Sequence, residues 1–289
     1  MAIQALTMDD LHRKAPSIFA QEPWEKMSEK YRFFPTSHVV EALMNNGFTP
    51  VSASQSKTRI EGKQNYTRHV VRFRHGDMME KARSAIGERS THLHHIIDTP
   101  ALPEVPEIVL MNSHDGTSSY RLMMGIFRLV CANGLIVKSC DIGEVRVRHS
   151  GDESLIDDVI EGSYEIIDEA PKVITQIEEW KSTVATIEQQ QVFANAALEL
   201  RGTSLDVSPI SLLSSRRSAD SCDLNGKRDV WKTMNVVQEN LIRGGVQGRR
   251  SNGERQRLRG VKSVDVDTKL NRALWTITEH FNSCVKEAA

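Results

Sequence analysis

Two neighbouring strand-like segments of this chain carry basic residues at spacings suited to binding phosphate groups. The segments SQSKTR and YTRHVVRFRH contribute Lys57, Arg59, Arg68, Arg72 and Arg74. Because side chains alternate along a strand, Arg68, Arg72 and Arg74 should share one face. Guanidinium groups grip phosphates through paired hydrogen bonds. The pattern predicts a nucleic-acid contact or, alternatively, a solvated strand face that pairs with the acidic helical segment.

Further arginines extend this candidate interface in two other regions. A short strand-like segment has Arg146 and Arg148 at alternate positions. Residues 243–262 contain seven Lys and Arg residues against one acid, together with several glycines. We expect a mobile loop that clamps a nucleic-acid backbone, or that contacts the acidic stretch 152–179 of the same or a neighbouring chain. Its candidate contacts are Arg249, Arg250, Arg255 and Arg257.

A histidine cluster has the chemistry of metal ligands or of a hydrolytic site. It comprises His92, His94 and His95, with His114 and Asp115 further along the chain. No cysteine or carboxylate stands at a known ligand spacing, so we expect an exposed loop without a metal. Ser113 and His114 are sequence neighbours and would point to opposite faces of a strand, so the stretch 112–116 favours an Asp-Gly turn. No phosphate-binding loop or dinucleotide fingerprint is present, and no cofactor is expected.

Polar residues on the C-terminal helices form a further candidate group. These residues are Asn235, Gln238, Glu239, Asn240, Asn271 and Arg272. Spacings of three and four place several of them on shared helix faces. They predict either a binding site or a buried network that pairs the helices, with Trp231 and Trp275 packing the helices together.

The elements that must position these residues begin with a loosely structured arm over residues 1–30. A helix is expected from about residue 36 to Gly47, capped by Thr36 or Ser37. Strands are expected at 51–60, 66–75, 107–113 and 144–149, with a turn at HGDMM and with Phe73 directed to the core. The apolar run 120–137 fits either a helix or a hairpin.

From residue 154 onwards the apolar spacing becomes helical. We expect a helix from 154 to about 200 that breaks at Pro171, and two more helices at 227–242 and 268–286. The order of strands first and helices later predicts an α+β fold, an antiparallel sheet with packed helices followed by a mainly helical C-terminal part. The expected divisions are an N-terminal arm (1–30), an α+β core (31–201) and a helical C-terminal region (202–289).

Composition limits the classes of function. The chain has 289 residues, with 39% hydrophobic and 26% charged residues, as in ordinary globular proteins. Its four cysteines form no CxxC pair, which is typical of a reducing compartment. The first residues do not resemble a signal peptide, and no apolar run is long enough to span a bilayer. We therefore expect a soluble cytoplasmic protein.

Several motifs together resemble a known protein family. They are RFFPTSHVVEALMNNGFTPVSASQSKTR, NSHDGTSSYRLMMGIFRLVCANGLIV, VRVRHSG, LLSSRR, WKTMNVVQENLIRGG and LNRALW. This combination resembles the phage/plasmid-like family of uncharacterised proteins of bacterial prophages and conjugative plasmids, and it covers roughly residues 31–275. The expected order of helices and strands is also similar to that of single-strand annealing proteins, in which a sheet and a helix line a basic groove on an oligomeric ring. The first resemblance implies a mobile-element context, and the second implies annealing.

These observations leave three hypotheses about function. The first is a non-enzymatic, homo-oligomeric protein of a mobile element that binds and anneals single-stranded nucleic acid through the arginines named above. The second is a protein-binding accessory factor that uses its acidic surface to modulate a host defence or regulatory complex. The third is a hydrolase or metal-dependent enzyme centred on the histidine cluster.

Overall fold

An antiparallel sheet organises the first of two compact units, residues 1–173. The computed structural model describes residues 5–86, 104–128, 134–136, 145–147 and 154–288. The central strands are β1 (Thr49–Gln55), β2 (His69–Arg74), β3 (Glu104–Asn112) and β4 (Tyr120–Arg128), paired in that order. Two short strands, β5 (Gly134–Ile136) and β6 (Val145–Val147), pair with β4 at Gly125–Phe127 and Tyr120–Leu122 respectively. The predicted α+β class is confirmed, and the described parts of the run 120–137 are the paired antiparallel strands β4 and β5 rather than a helix.

Side-chain alternation on β2 follows the period of two that the sequence predicts. His69, Val71 and Phe73 are buried, while Val70, Arg72 and Arg74 are partly exposed. On the neighbouring strand β3, every residue is buried. Phe73 thus lies in the core, as expected, and the strand arginines share the opposite face of the sheet.

The described helices of this unit are α1 (Met8–Lys14), α2 (Thr36–Asn45) and α3 (Gly76–Ile86), and α4 (Ser154–Ser182) begins in it and continues into the second unit. The N-terminal stretch differs from the loose arm that the sequence suggested. Thr7 and Asp10 form a capping box at the start of α1, and Leu11, Ala15 and Ile18 are fully buried. A capped helix with an apolar anchor holds this stretch in place.

Two local predictions about these helices are wrong. The expected turn at HGDMM is the beginning of α3, where the buried residues Met78 and Ala82, four apart, provide an apolar stripe. Pro171 lies inside α4 and does not end it. Its missing backbone donor costs about 3 kcal/mol. Burial of Ile167, Ala170 and Ile174 around it offsets that cost.

The second unit, residues 174–289, is mainly helical. It contains α5 (Ile187–Arg201), α6 (Val230–Arg243) and α7 (Val264–Glu287), with β7 (Val184–Ala185) paired to β8 (Arg228–Asp229). The two C-terminal helices lie where the sequence predicts them. The ring centroids of Trp231 and Trp275 lie 6.1 and 4.4 Å from that of Trp180, and all three rings are buried. Within the described ranges, no helix combines the length and the apolar character needed to cross a membrane.

Candidate functional site

A β-hairpin follows α6 and carries most of the arginines predicted for the 243–262 segment. Its strands are β9 (Gln247–Arg249) and β10 (Arg255–Arg257). Backbone pairing continues towards α6 through Gly245 N to Leu258 O (2.7 Å) and Leu258 N to Val246 O (2.7 Å). The side chains of Val246 and Leu258 are buried. The expected mobile loop is therefore wrong, because backbone pairing and two apolar anchors order a segment whose composition looks unstructured.

Glycines permit the close approaches on which this hairpin depends. Gly244 ends α6 with a positive φ of 68°, and a Cβ there would lie 2.4 Å from the Leu258 carbonyl oxygen. Gly248 sits against Asp206, whose backbone exchanges two 2.8 Å hydrogen bonds with Arg249. A side chain at either glycine would force the strands apart. The positions of the neighbouring arginines are thus set by rigid backbone.

The register of the hairpin places three arginines on one exposed face. Arg255 is opposite Arg249, and Arg257 is opposite Gln247. These four side chains are exposed, whereas Gly248 on the other face is buried. Among the residues that the structure describes, none forms an ion pair with Arg249, Arg255 or Arg257. Like charges placed directly opposite each other destabilise a strand pair, so this face is suited to an anionic ligand.

A polar cleft adjoins the inner side of the hairpin. Its volume is about 660 Å³, and it lies between the C-terminal end of α5 and the residues 250–259. Arg250 lines this cleft together with Arg201 and Arg259, two residues that sequence reasoning missed. Arg259 continues the alternate spacing of Arg255 and Arg257, which could have indicated it. Nothing in the sequence relates Arg201 to this segment.

The arginines of β2 make internal contacts. Arg72 Nε and Arg74 Nε donate to the two carboxylate oxygens of Glu107 at 2.6 and 2.8 Å, and Glu107 is completely buried. The Arg72 guanidinium also lies 3.3 Å from the centroid of the Phe127 ring. Arg68 donates to the Thr117 carbonyl oxygen. Both arginines that contact Glu107 compensate its buried charge, a structural role that sequence reasoning did not foresee.

The remaining predicted basic contacts are dispersed in the first unit. Lys57 and Arg59 are exposed but follow β1, which ends at Gln55, so they do not lie on the strand pair. The backbone of Arg146 pairs with Arg121 between β6 and β4. Arg148 lies outside the described residues. Among the described residues of this unit, the predicted contacts that share a partner are Arg72 and Arg74, and both hold the buried Glu107 carboxylate.

His114 belongs to a buried polar cluster around Thr36 rather than to an exposed site. The Thr36 hydroxyl lies 3.0 Å from His114 Nε2, 2.9 Å from His69 Nε2 and 3.1 Å from the Tyr120 hydroxyl, and it accepts a 3.0 Å hydrogen bond from Asn112 Nδ2. All five side chains are completely buried. Thr36 therefore does not cap α2, whose N-cap is Pro35. Burial lowers the pKa of His69 to about 4, so its ring is neutral.

Residues 112–116 form a turn, as the sequence predicts, and their side chains take part in its hydrogen bonds. Ser113 Oγ accepts a hydrogen bond from Ser118 N at 2.8 Å, and Thr117 N donates to Asp115 Oδ1 at 3.1 Å. These contacts build the turn that the sequence favoured. His92, His94 and His95 lie outside the described residues, and no group of three or more potential metal ligands occurs in the described ranges.

The polar residues of the C-terminal helices serve packing. Gln238 Nε2 donates to Asn271 Oδ1 at 2.7 Å between α6 and α7, and both side chains are buried. Asn240 donates to the carbonyl oxygens of Leu212 and Ser214. The alternative of a buried helix-pairing network thus accounts for these contacts.

Comparison with known proteins identifies the family of this chain. The family described as "Domain of unknown function (DUF932)" matches residues 23–275. Two proteins of Escherichia coli (strain K12) are similar over 278 residues, which is 95% of this chain and 90% of each relative. UPF0380 protein YafZ is 38% identical and UPF0380 protein YfjQ is 37% identical. No solved structure matches. With most of its length matched by that domain and by both relatives, this chain belongs to the DUF932 family.

Proposed function

We propose that this protein binds the phosphate backbone of single-stranded nucleic acid through the exposed arginine face of the β9–β10 hairpin. The observation that carries the proposal is the direct cross-strand pairing of Arg249 with Arg255, next to Arg257. Such an arrangement is unfavourable by itself and becomes favourable when anions lie between the guanidinium groups. Backbone contacts of this kind are insensitive to sequence and dependent on salt.

Single strands are a better match than duplex DNA for this face. The hairpin strands are only three residues long, and the segment has no helix or motif that would read a major groove. A flexible single strand can adapt its phosphates to three closely spaced guanidinium groups. Binding without strong sequence preference follows from contacts made to phosphates alone.

The mobile-element part of the proposal rests on the family resemblance. A protein carried by prophages and conjugative plasmids would act where single strands arise, during transfer and recombination. We propose that it accelerates annealing of complementary strands. The measurement is the pairing rate of two complementary labelled strands, with and without the protein. An unchanged rate, with binding intact, would limit the function to strand protection.

Self-association would bring several basic hairpins onto one strand. The exposed face of α4 carries acidic residues at helical spacing, namely Asp157, Glu161, Glu165 and Asp168. This acidic face is complementary in charge to exposed cations of another chain that lie outside the hairpin, such as Lys57 and Arg59, so the arginine face stays available to the strand. Once one hairpin of such an assembly has bound a strand, the other hairpins are held close to it at a high effective concentration, so many weak phosphate contacts give strong binding. Light scattering with and without single-stranded DNA tests this step, and a mass of 32.5 kDa in both conditions would exclude it.

Titration of a labelled strand against the protein at two salt concentrations tests the central proposal. Replacing Arg249, Arg255 and Arg257 together by glutamine should weaken binding and lower the salt slope by about 2, since each single-strand phosphate contact contributes about 0.7. A matched control replaces three other exposed cations, Lys14, Lys30 and Lys269, by glutamine. Equal loss in both variants would indicate a general charge effect. No binding at low salt would favour the protein-binding alternative.

A further inference from the structure

The cleft beside the hairpin is built differently from the hairpin's outer face. Its walls come from residues 201–205, at the end of α5, and from residues 250–259 of the hairpin segment. Three arginines reach it: Arg201, Arg250 and Arg259. Its volume of about 660 Å³ falls in the range of small-ligand sites. This space is large enough for a phosphate group with its attached sugar.

The cleft is positively charged, because arginines line it and no described lining residue is acidic. Arg250 forms an ion pair with Glu254 at 3.5 Å, but both side chains are at least half exposed and Glu254 does not line the cleft. An exposed pair of this kind contributes little. Three guanidinium groups therefore act on any ligand that enters.

Arg201 is held in position for such a ligand. Its Nη2 donates to the Arg259 carbonyl oxygen at 3.1 Å. Its Nε is buried and has no hydrogen-bond partner among the described residues. The hydrogen bond to the hairpin segment fixes the Arg201 side chain at the wall of the cleft, so less side-chain freedom is lost when an anion binds there.

The other wall residues define which part of a ligand the cleft recognises. Hydroxyl and amide side chains come from Thr203, Ser204, Ser251, Asn252 and Gln256. No aromatic side chain is present among the described lining residues, so the cleft offers no aromatic ring on which a base could stack. Phosphate and sugar oxygens, rather than bases, match these donors.

We infer that this cleft binds a phosphate group that carries more than one negative charge, either the terminal phosphomonoester of a nucleic-acid strand or the same group in a free nucleotide. A backbone diester carries one charge, whereas a monoester carries about 1.5 to 2 at neutral pH. Three converging guanidinium groups discriminate in favour of the higher charge. For the phosphorylated strand end, the inference rests on the proposed function. For the free nucleotide, it rests on the cleft alone.

The test compares two strands of identical sequence, one ending in a 5′-phosphate and the other in a 5′-hydroxyl, with 3′-phosphorylated strands as a further arm. We expect one phosphorylated end to bind about tenfold more tightly, which is the effect of one additional charge-assisted hydrogen bond. Inorganic pyrophosphate and adenosine monophosphate, added as competitors, report on the free-nucleotide source. Competition by these probes without any end preference would assign the cleft to free nucleotides.

Two variants separate the cleft from the outer face. Arg201→Gln should abolish the end preference and weaken the binding of hydroxyl-ended strands no more than Lys30→Gln does, and Arg201→Lys should restore the preference only in part because it lacks the planar fork. The triple glutamine variant of the outer face should weaken both strands equally and keep the preference. Thermal unfolding of each variant verifies that the fold persists.

The possible failures are distinguishable. Equal affinity for both strand ends, together with no competition by pyrophosphate or adenosine monophosphate, would overturn the cleft inference while the backbone proposal stands. Pyrophosphate binding that depends on Arg201, in a protein that binds no DNA, would overturn the backbone proposal while the cleft inference stands. An end preference that survives Arg201→Gln would place the recognition elsewhere and refute the assignment.

Discussion

Arg249 and Arg255 occupy directly opposed positions in the β9–β10 hairpin, with both side chains exposed on the same face. Like charges at opposed strand positions cost about 0.2–1 kcal/mol. An oppositely charged pair at these two positions would make the folded state more stable, yet the chain has two arginines there. Sites that bind ligands often keep such locally unfavourable arrangements.

The first prediction concerns this pair. Arg255→Glu should raise the free energy of unfolding by about 0.5–1 kcal/mol, because a cross-strand ion pair replaces a repulsion. The same substitution should weaken single-stranded DNA binding. Urea denaturation and DNA titration measure the two effects, with Arg13→Glu as a control at an exposed arginine of α1. A variant that is less stable and binds DNA as the native protein does would contradict the assignment.

The second prediction concerns the buried carboxylate of the sheet. Arg72→Ala should lower the free energy of unfolding by about 2 kcal/mol, because Glu107 then keeps Arg74 as its one cation in contact among the described residues. Denaturant unfolding measures the loss, and Arg59→Ala, an exposed arginine outside the strands, should change little. In a double-mutant cycle, Arg72→Ala should cost much less in a Glu107→Gln background. Additive losses would show that the two residues do not interact energetically.

The third prediction concerns acid stability. Burial lowers the pKa of His69 to about 4, against about 6.5 in the unfolded chain. Between these pH values the unfolded state binds more protons than the folded state. The free energy of unfolding therefore keeps its full value above about pH 6.5 and falls as the pH drops towards 4. The contribution at stake is about 2–3 kcal/mol. His69→Gln should flatten this dependence, whereas His12→Gln, at an exposed position, should preserve it. Unfolding curves across this pH range provide the measurement.

The fourth prediction has the opposite sign. Burial raises the pKa of Asp267, near the start of α7, to about 6, and a hydrogen bond from Asn271 only partly counters this effect. The folded state then binds more protons between pH 4 and 6, so this group lowers stability as the pH rises through that window. Asp267→Asn should raise the free energy of unfolding by about 1 kcal/mol at pH 7, because solvent access and the nearby helix N-terminus partly stabilise the native carboxylate. Near pH 4 the same substitution should have no effect on stability. Equal stabilisation at both pH values would refute the titration argument, and Asp206→Asn is the exposed control.

Sequence alone determined the features that depend on local periodicity. The alternation of His69, Val71 and Phe73 with Arg72 and Arg74 was readable because a strand has a period of two. The α+β class followed from the order of strand-like and helical patterns, and the two C-terminal helices followed from their apolar spacing. The basic character of residues 243–262 was likewise evident from composition.

Tertiary structure decided everything that depends on partners distant in sequence. Arg72 and Glu107, thirty-five positions apart, become a buried ion pair only when β2 and β3 align. Residues 120–128 form a strand because pairing with β3 outweighs their helical spacing. Composition predicted a mobile loop at 243–262, yet backbone pairing with Asp206 and burial of Leu258 order it. Long-range pairing and burial contribute more free energy than local preference does, and a single sequence does not specify which distant residues will meet.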